Sequence, residues 1–183
     1  ASVLNNSTSM TPYSISTTFN LLGNEVTYNV TTLPVASHTG DYKGAAFNIL
    51  DQMYEANLYI KDQSHIAPQG SCVAPQCTSF LSAGKVRVFW TPGLSPGAYF
   101  GNPTTATSFF IDADSAYYGM AAGIYLLGGI NDSTCADTDH FDNSVILHEY
   151  GHFLEKDQAK SDSPGGSHSG NAVIDPRLAW SEG

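Results

Sequence analysis

The residues best suited to chemistry in this chain are consecutive: His148-Glu149-Tyr150-Gly151-His152. On an α-helix, residues four apart share one face. Two imidazoles placed that way can hold one Zn²⁺, with the Glu149 carboxylate beside a water that the metal activates. The chemistry this spacing predicts is hydrolysis, with His148 and His152 as ligands and Glu149 as general base. Tyr150 and Gly151 fill the two variable positions, and Gly151 is expected to let a strand pack closely.

Such a site needs a helix to present it and a third ligand to complete it. Asp142 is a good N-cap, with Asn143 one register later as the alternative. Phe141 and Ile146 have the spacing of a hydrophobic staple. Val145, Ile146, Tyr150, Phe153 and Leu154 give an apolar stripe that suits a buried helix over about 142–157. The third ligand is sought downstream. A continuation H-x-x-G-x-x-H is absent, because Glu155 and Gln158 occupy the matching positions. The run Asp175-Pro176-Arg177-Leu178-Ala179-Trp180-Ser181-Glu182 reads as a second helix start, capped by Asp175 with Pro176 in its first turn. Glu182 on that helix is the favoured third ligand. His168, in a Gly/Ser-rich loop, is the main rival, and Asp157 and Asp175 are weaker ones. Asp162, Asp175 and backbone carbonyls are candidates to orient the imidazoles.

Upstream, residues 1–35 are rich in Ser, Thr and Asn, with strand-like stretches at Tyr13–Phe19 and Glu25–Thr31. Ala45–Lys61 reads as a helix with Phe47, Leu50, Met53 and Tyr54 on one face. Val86, Val88 and Trp90 alternate with Lys85, Arg87 and Phe89 as a strand that Pro92 and Gly93 end. Ser108–Asp112 and Ala121–Leu127 are further strand candidates, the latter closed by Gly128-Gly129. The class this order predicts is α+β. Asp112, Asp114 and the group Asp132, Asp137, Asp139 and Asp142 lack EF-hand spacing, so polar loops and a helix cap are favoured over Ca²⁺. His140 is expected on a solvated loop rather than facing the cleft.

The runs H-E-Y-G-H-F-L-E, S-D-S-P-G-G-S-H-S-G and D-P-R-L-A-W-S-E-G together resemble gluzincin-type metalloproteases among bacterial secreted proteins and lipoproteins. The resemblance covers roughly residues 120–183. It implies Zn²⁺ held by His148, His152 and Glu182, with Glu149 as base. It also implies a zincin-like subdomain: a small twisted mixed sheet with an edge strand, packed on a backing helix and on the motif helix. The edge strand that would pair with an extended peptide is placed at roughly Gly119–Gly129. The division this predicts is a β-rich segment at 1–35 and a zincin-like domain at 36–183. Because gluzincins continue past the third ligand, the chain is expected to be a fragment.

Charge and composition narrow the partners. The net charge is −10, from 7 Lys+Arg against 17 Asp+Glu, which argues against nucleic acid or anionic membranes. The expected partner is a peptide or protein substrate. No apolar run reaches the length of a membrane span. The chain begins at Ala1 without Met, as after removal of a signal peptide, and a secreted or cell-envelope location is expected. Cys72 and Cys77 flank a short loop that a disulfide could close in an oxidising compartment, leaving Cys135 free; pairing of Cys135 with either of them would leave a different odd thiol. Neither a Walker A loop nor G-x-S-x-G is present. A second class also fits: a non-catalytic zinc-stabilised or cell-surface binding module, a degenerate peptidase. The retention of Glu149 weighs against it, since a structural site needs no base.

Overall fold

A computed structural model describes residues 1–14, 43–63, 84–130, 137–158, 163–164 and 175–182. Its elements in chain order are β1 (Ser2–Leu4), α1 (Lys43–Gln63), β2 (Arg87–Phe89), a 3-10 turn (Pro96–Phe100), β3 (Phe109–Ile111), β4 (Gly123–Tyr125), α2 (Asn143–Gln158) and α3 (Pro176–Ser181). The class is α+β, with one small mixed sheet. Its order is β1-β2-β4-β3, with β1, β2 and β4 parallel and β3 antiparallel to β4. The expected strand at Glu25–Thr31, most of that at Tyr13–Phe19, and Cys72, Cys77 and Cys135 lie outside the described residues.

Alternation along β2 decides how the layers pack. Val86, Val88 and Trp90 point to one side, where Ala45, Ala46, Ile49 and Met53 of α1 and Ile146, Tyr150 and Phe153 of α2 close the main core. Phe89 points to the other side and packs with Leu4, Met120, Ala121 and Tyr125. Both faces are covered from Val88 to Trp90, while Arg87 at the start of β2 stays partly exposed. Each large side chain buried this way contributes about 1.5–3 kcal/mol. Two glycines permit the close approach of β4 to its neighbours. Gly123 sits at φ +154°, and a Cβ there would lie 2.5 Å from the Arg87 carbonyl oxygen. At Gly128 a Cβ would collide with the Thr91 carbonyl oxygen, where the chain returns past the end of β2.

Two expectations about the elements change. The edge strand is not Gly119–Gly129. That stretch forms β4, which lies between β2 and β3, and β3 is the edge beside α2. The α1 stripe also rotates. Tyr54 is 56% exposed, and the buried line runs through Ala46, Ile49 and Met53. Spacings of three and four along that line fit the helix period, and its alanine lets α1 approach the sheet.

The N-terminus of α2 follows its sequence. The Asp142 carboxylate accepts hydrogen bonds from the backbone N–H of Ser144 at 3.0 Å and of Val145 at 3.3 Å, and the Ile146 N–H bonds its carbonyl at 3.1 Å. Asp142 is therefore the N-cap, and its carboxyl is held below the usual range by the Ser144 hydroxyl and these amides. Asp142→Ala is expected to destabilise α2 by removing this cap. Thermal melting should register this as a fall in Tm. The staple does not form as expected: Phe141 is 47% exposed, with its ring against His140.

Candidate metal centre

Along α2, Ile146, Glu149, Tyr150 and Phe153 fall on the buried face. His148 and His152 lie just off that face, toward solvent. They are one turn apart, and their rings meet edge to face with centroids 4.6 Å apart. Their Nε2 atoms are 3.1 Å from each other. α3 brings the third group. Asp175 accepts the Arg177 backbone N–H at 2.9 Å and caps this short helix, as its sequence predicts. Leu178 is buried, and the Glu182 N–H bonds the Leu178 carbonyl at 3.1 Å, carrying the helical path one residue past Ser181. Glu182 Oε2 then lies 3.3 Å from His148 Nε2 and 3.5 Å from His152 Nε2.

The donor set fits one ion. Bonds of about 2.0–2.1 Å from a tetrahedral zinc to His nitrogen or carboxylate oxygen place the ligand atoms about 3.3 Å apart. The three separations here, 3.1, 3.3 and 3.5 Å, straddle that edge length. Two neutral imidazoles and a carboxylate are borderline ligands of the kind zinc takes. The side chains remain 42%, 18% and 20% exposed for His148, His152 and Glu182, so the cluster opens to solvent. Among the described residues, these three are the group arranged to hold a metal.

Glu149 differs from its neighbours. It is 6% exposed, and its carboxyl is pushed up to about 8. Burial is the main cause, followed by the nearby carboxylates of Glu182 and Asp139. A hydrogen bond from the Phe110 backbone amide, on β3, opposes the rise. Edge strand β3 packs against α2, the helix that carries this carboxylate.

The other sequence candidates go elsewhere. Asp157 accepts the Gly84 N–H at 2.7 Å and is not part of the cluster. Asp175 pairs with Arg177 at 2.9 Å, which leaves it a capping role. His168 and Asp162 lie outside the described residues. A Cβ at Gly151 would meet open space, so none of the described strands packs closely there. His140 is not solvated: its ring packs on Trp90 at 5.1 Å, and burial lowers its pKa. Asp112 pairs with Lys156 at 2.8 Å, and Asp114 lies 3.7 Å from Arg87. Asp139 accepts a hydrogen bond from Ser108, and Asp142 caps α2. Among the described residues these acids have the separate partners just named, while the charges of Asp137 and Asp142 act on Asp139; Asp132 lies outside the described residues.

Sequence reasoning placed Ser108 and Phe110 in a strand candidate, Ser108–Asp112, but gave neither a role at the site. Neither carries a signal in its type or local spacing, because their roles depend on β3 lying beside α2. The described helices include none long and apolar enough to cross a membrane. Comparison with known protein families, characterised proteins and solved structures finds no match.

Proposed function

We propose that this chain is a zinc-dependent peptidase of the gluzincin type, with His148, His152 and Glu182 as ligands and Glu149 as general base. The observation that supports it best is the triangle of ligand atoms at 3.1–3.5 Å beside a buried carboxyl. Zinc bound there would supply Lewis acidity toward a scissile carbonyl and lower the pKa of water. The remaining work falls to the chain's own residues. The Glu149 carboxyl is protonated at neutral pH by its surroundings alone. A cation held by His148, His152 and Glu182 would favour its ionised form, in which Glu149 would take a proton from water and hand it to the leaving amine. Edge strand β3 offers backbone groups to an extended substrate, which would add to the sheet as a further strand. A buried base argues against a purely structural zinc site, where an uncompensated acid would only cost stability. A substrate-degrading role also fits the expected secreted or cell-envelope location.

The test combines metal analysis with hydrolysis. After zinc loading and removal of free metal, about one zinc per chain is expected, together with cleavage of unfolded casein that a chelator abolishes and added zinc restores. Stoichiometric zinc without cleavage would favour the binding-module reading. Failure to retain zinc would overturn the ligand assignment.

A further inference from the structure

A set of hydrogen bonds outside the metal centre joins the edge strand to the motif helix. The Ser108 hydroxyl, one residue before β3, donates to Asp139 Oδ2 at 2.5 Å and accepts the Leu127 N–H at 2.9 Å. The Asp139 N–H in turn donates to the Leu127 carbonyl at 2.9 Å. Three segments thus close on one another: the start of β3, the chain leaving β4, and the turn into α2. The Asp139 carbonyl also accepts the N–H of Asp142, the cap of α2, at 3.0 Å. Two residues past Ser108, Phe110 lies on β3 where that strand packs against α2. The Phe110 ring lies edge-on to Phe153 of α2 at 6.1 Å.

We propose that Ser108 and Asp139 are positioning residues that hold edge strand β3 in register with Glu149, and so set where an extended peptide lies against the metal centre. The inference rests on the peptidase reading for its consequence, but not for its geometry. Among the described residues, β3 is only three residues long and has one strand neighbour, so that ladder fixes its position weakly. A half-buried acid bonded by a hydroxyl is a stronger tie than a neutral pair, since bonds to charged groups are shorter and firmer. Small displacements of a substrate from the reacting group are costly to rate.

The test uses the full chain loaded with zinc, as wild type, Ser108→Ala, Ser108→Thr and Asp139→Asn. Amide hydrogen exchange at Phe110 reads the strand directly. Ser108→Ala and Asp139→Asn are each expected to speed that exchange about tenfold, the loss of roughly one hydrogen bond. With casein-derived peptides, kcat should fall about 10–100-fold while zinc stays at one per chain. Ser108→Thr keeps the hydroxyl and should restore both. Unchanged Phe110 exchange in Ser108→Ala would overturn the proposal, as would Ser108→Thr behaving like Ser108→Ala. Loss of zinc in step with activity would also overturn it, by making the bracket a support of the metal site alone. If the wild type cleaves nothing, the peptidase reading fails, and the exchange measurement still decides whether the bracket holds β3.

Discussion

Glu149→Gln is expected to abolish hydrolysis, with kcat at least about 10³-fold lower, while the protein still binds one zinc. Glutamine fills the same space and keeps an acceptor for the Phe110 amide, but it takes no proton from water. The same change should have an opposite effect on stability without metal. In the unfolded chain this carboxyl titrates at its ordinary value of 4.5, and in the folded chain at about 8. Between those limits the folded state holds a proton that the unfolded state releases. Its contribution is therefore fully present below about pH 4.5 and is lost as pH rises through about 8. The size is on the order of 4 kcal/mol. Metal-free Glu149→Gln should melt above metal-free wild type at pH 8, and level with it at pH 4. Equal melting at pH 8 would show that Glu149 is not held in its acid form. Full hydrolytic activity in the variant would remove it as the base.

Removing a ligand should act on the metal rather than on the fold. His148→Ala, His152→Ala and Glu182→Ala are each expected to weaken zinc binding by more than about 100-fold, since changes outside the ligand shell already cost 10–100-fold. If the site binds zinc, zinc at a thousand times its dissociation constant would stabilise the folded wild type by about 4 kcal/mol. For a chain of this size that is a rise in Tm of about 10 °C. The three variants should lose that rise while melting close to metal-free wild type. The Glu182 variant is the most informative, because it lies on a different helix from the two His. Zinc retained at wild-type affinity in Glu182→Ala would remove α3 from the site.

How far the sequence could be read depended on the range of the interactions. The helix of His148 and His152 was legible because the i, i+4 spacing, the Asp142 cap and the Ile146–Phe153 stripe are all local. Asp175 and Pro176 announced α3 for the same reason. The approach of Glu182 to the two Nε2 atoms was an inference from chemistry, because no local signal sets the distance between two helices. What failed was tertiary. Strand β4 reads as an apolar run, and nothing within it tells whether one neighbour or two will flank it, so the edge was placed one strand too far inward. His140 looked like a loop residue because its partner, Trp90, is fifty positions away. Ser108 is an ordinary serine until Leu127 and Asp139 fold around it. Phe47 and Tyr54 were read on the buried face of α1, but the core selected the stripe with Ala46, Ile49 and Met53, and Tyr54 was left at the surface.

The two-helix origin of the cluster has a consequence for the chain as a polymer. α3 spans six residues, too few for a helix to persist by its own hydrogen bonds. Thirty positions separate its Glu182 from His152. An ion shared between them would close that length of chain into a ring, much as a disulfide does. The unfolded ensemble would be restricted by about 3–4 kcal/mol if the link persisted in it. On this reading zinc is a cross-link as well as a reagent, and the order of the last helix becomes a readout of metal supply.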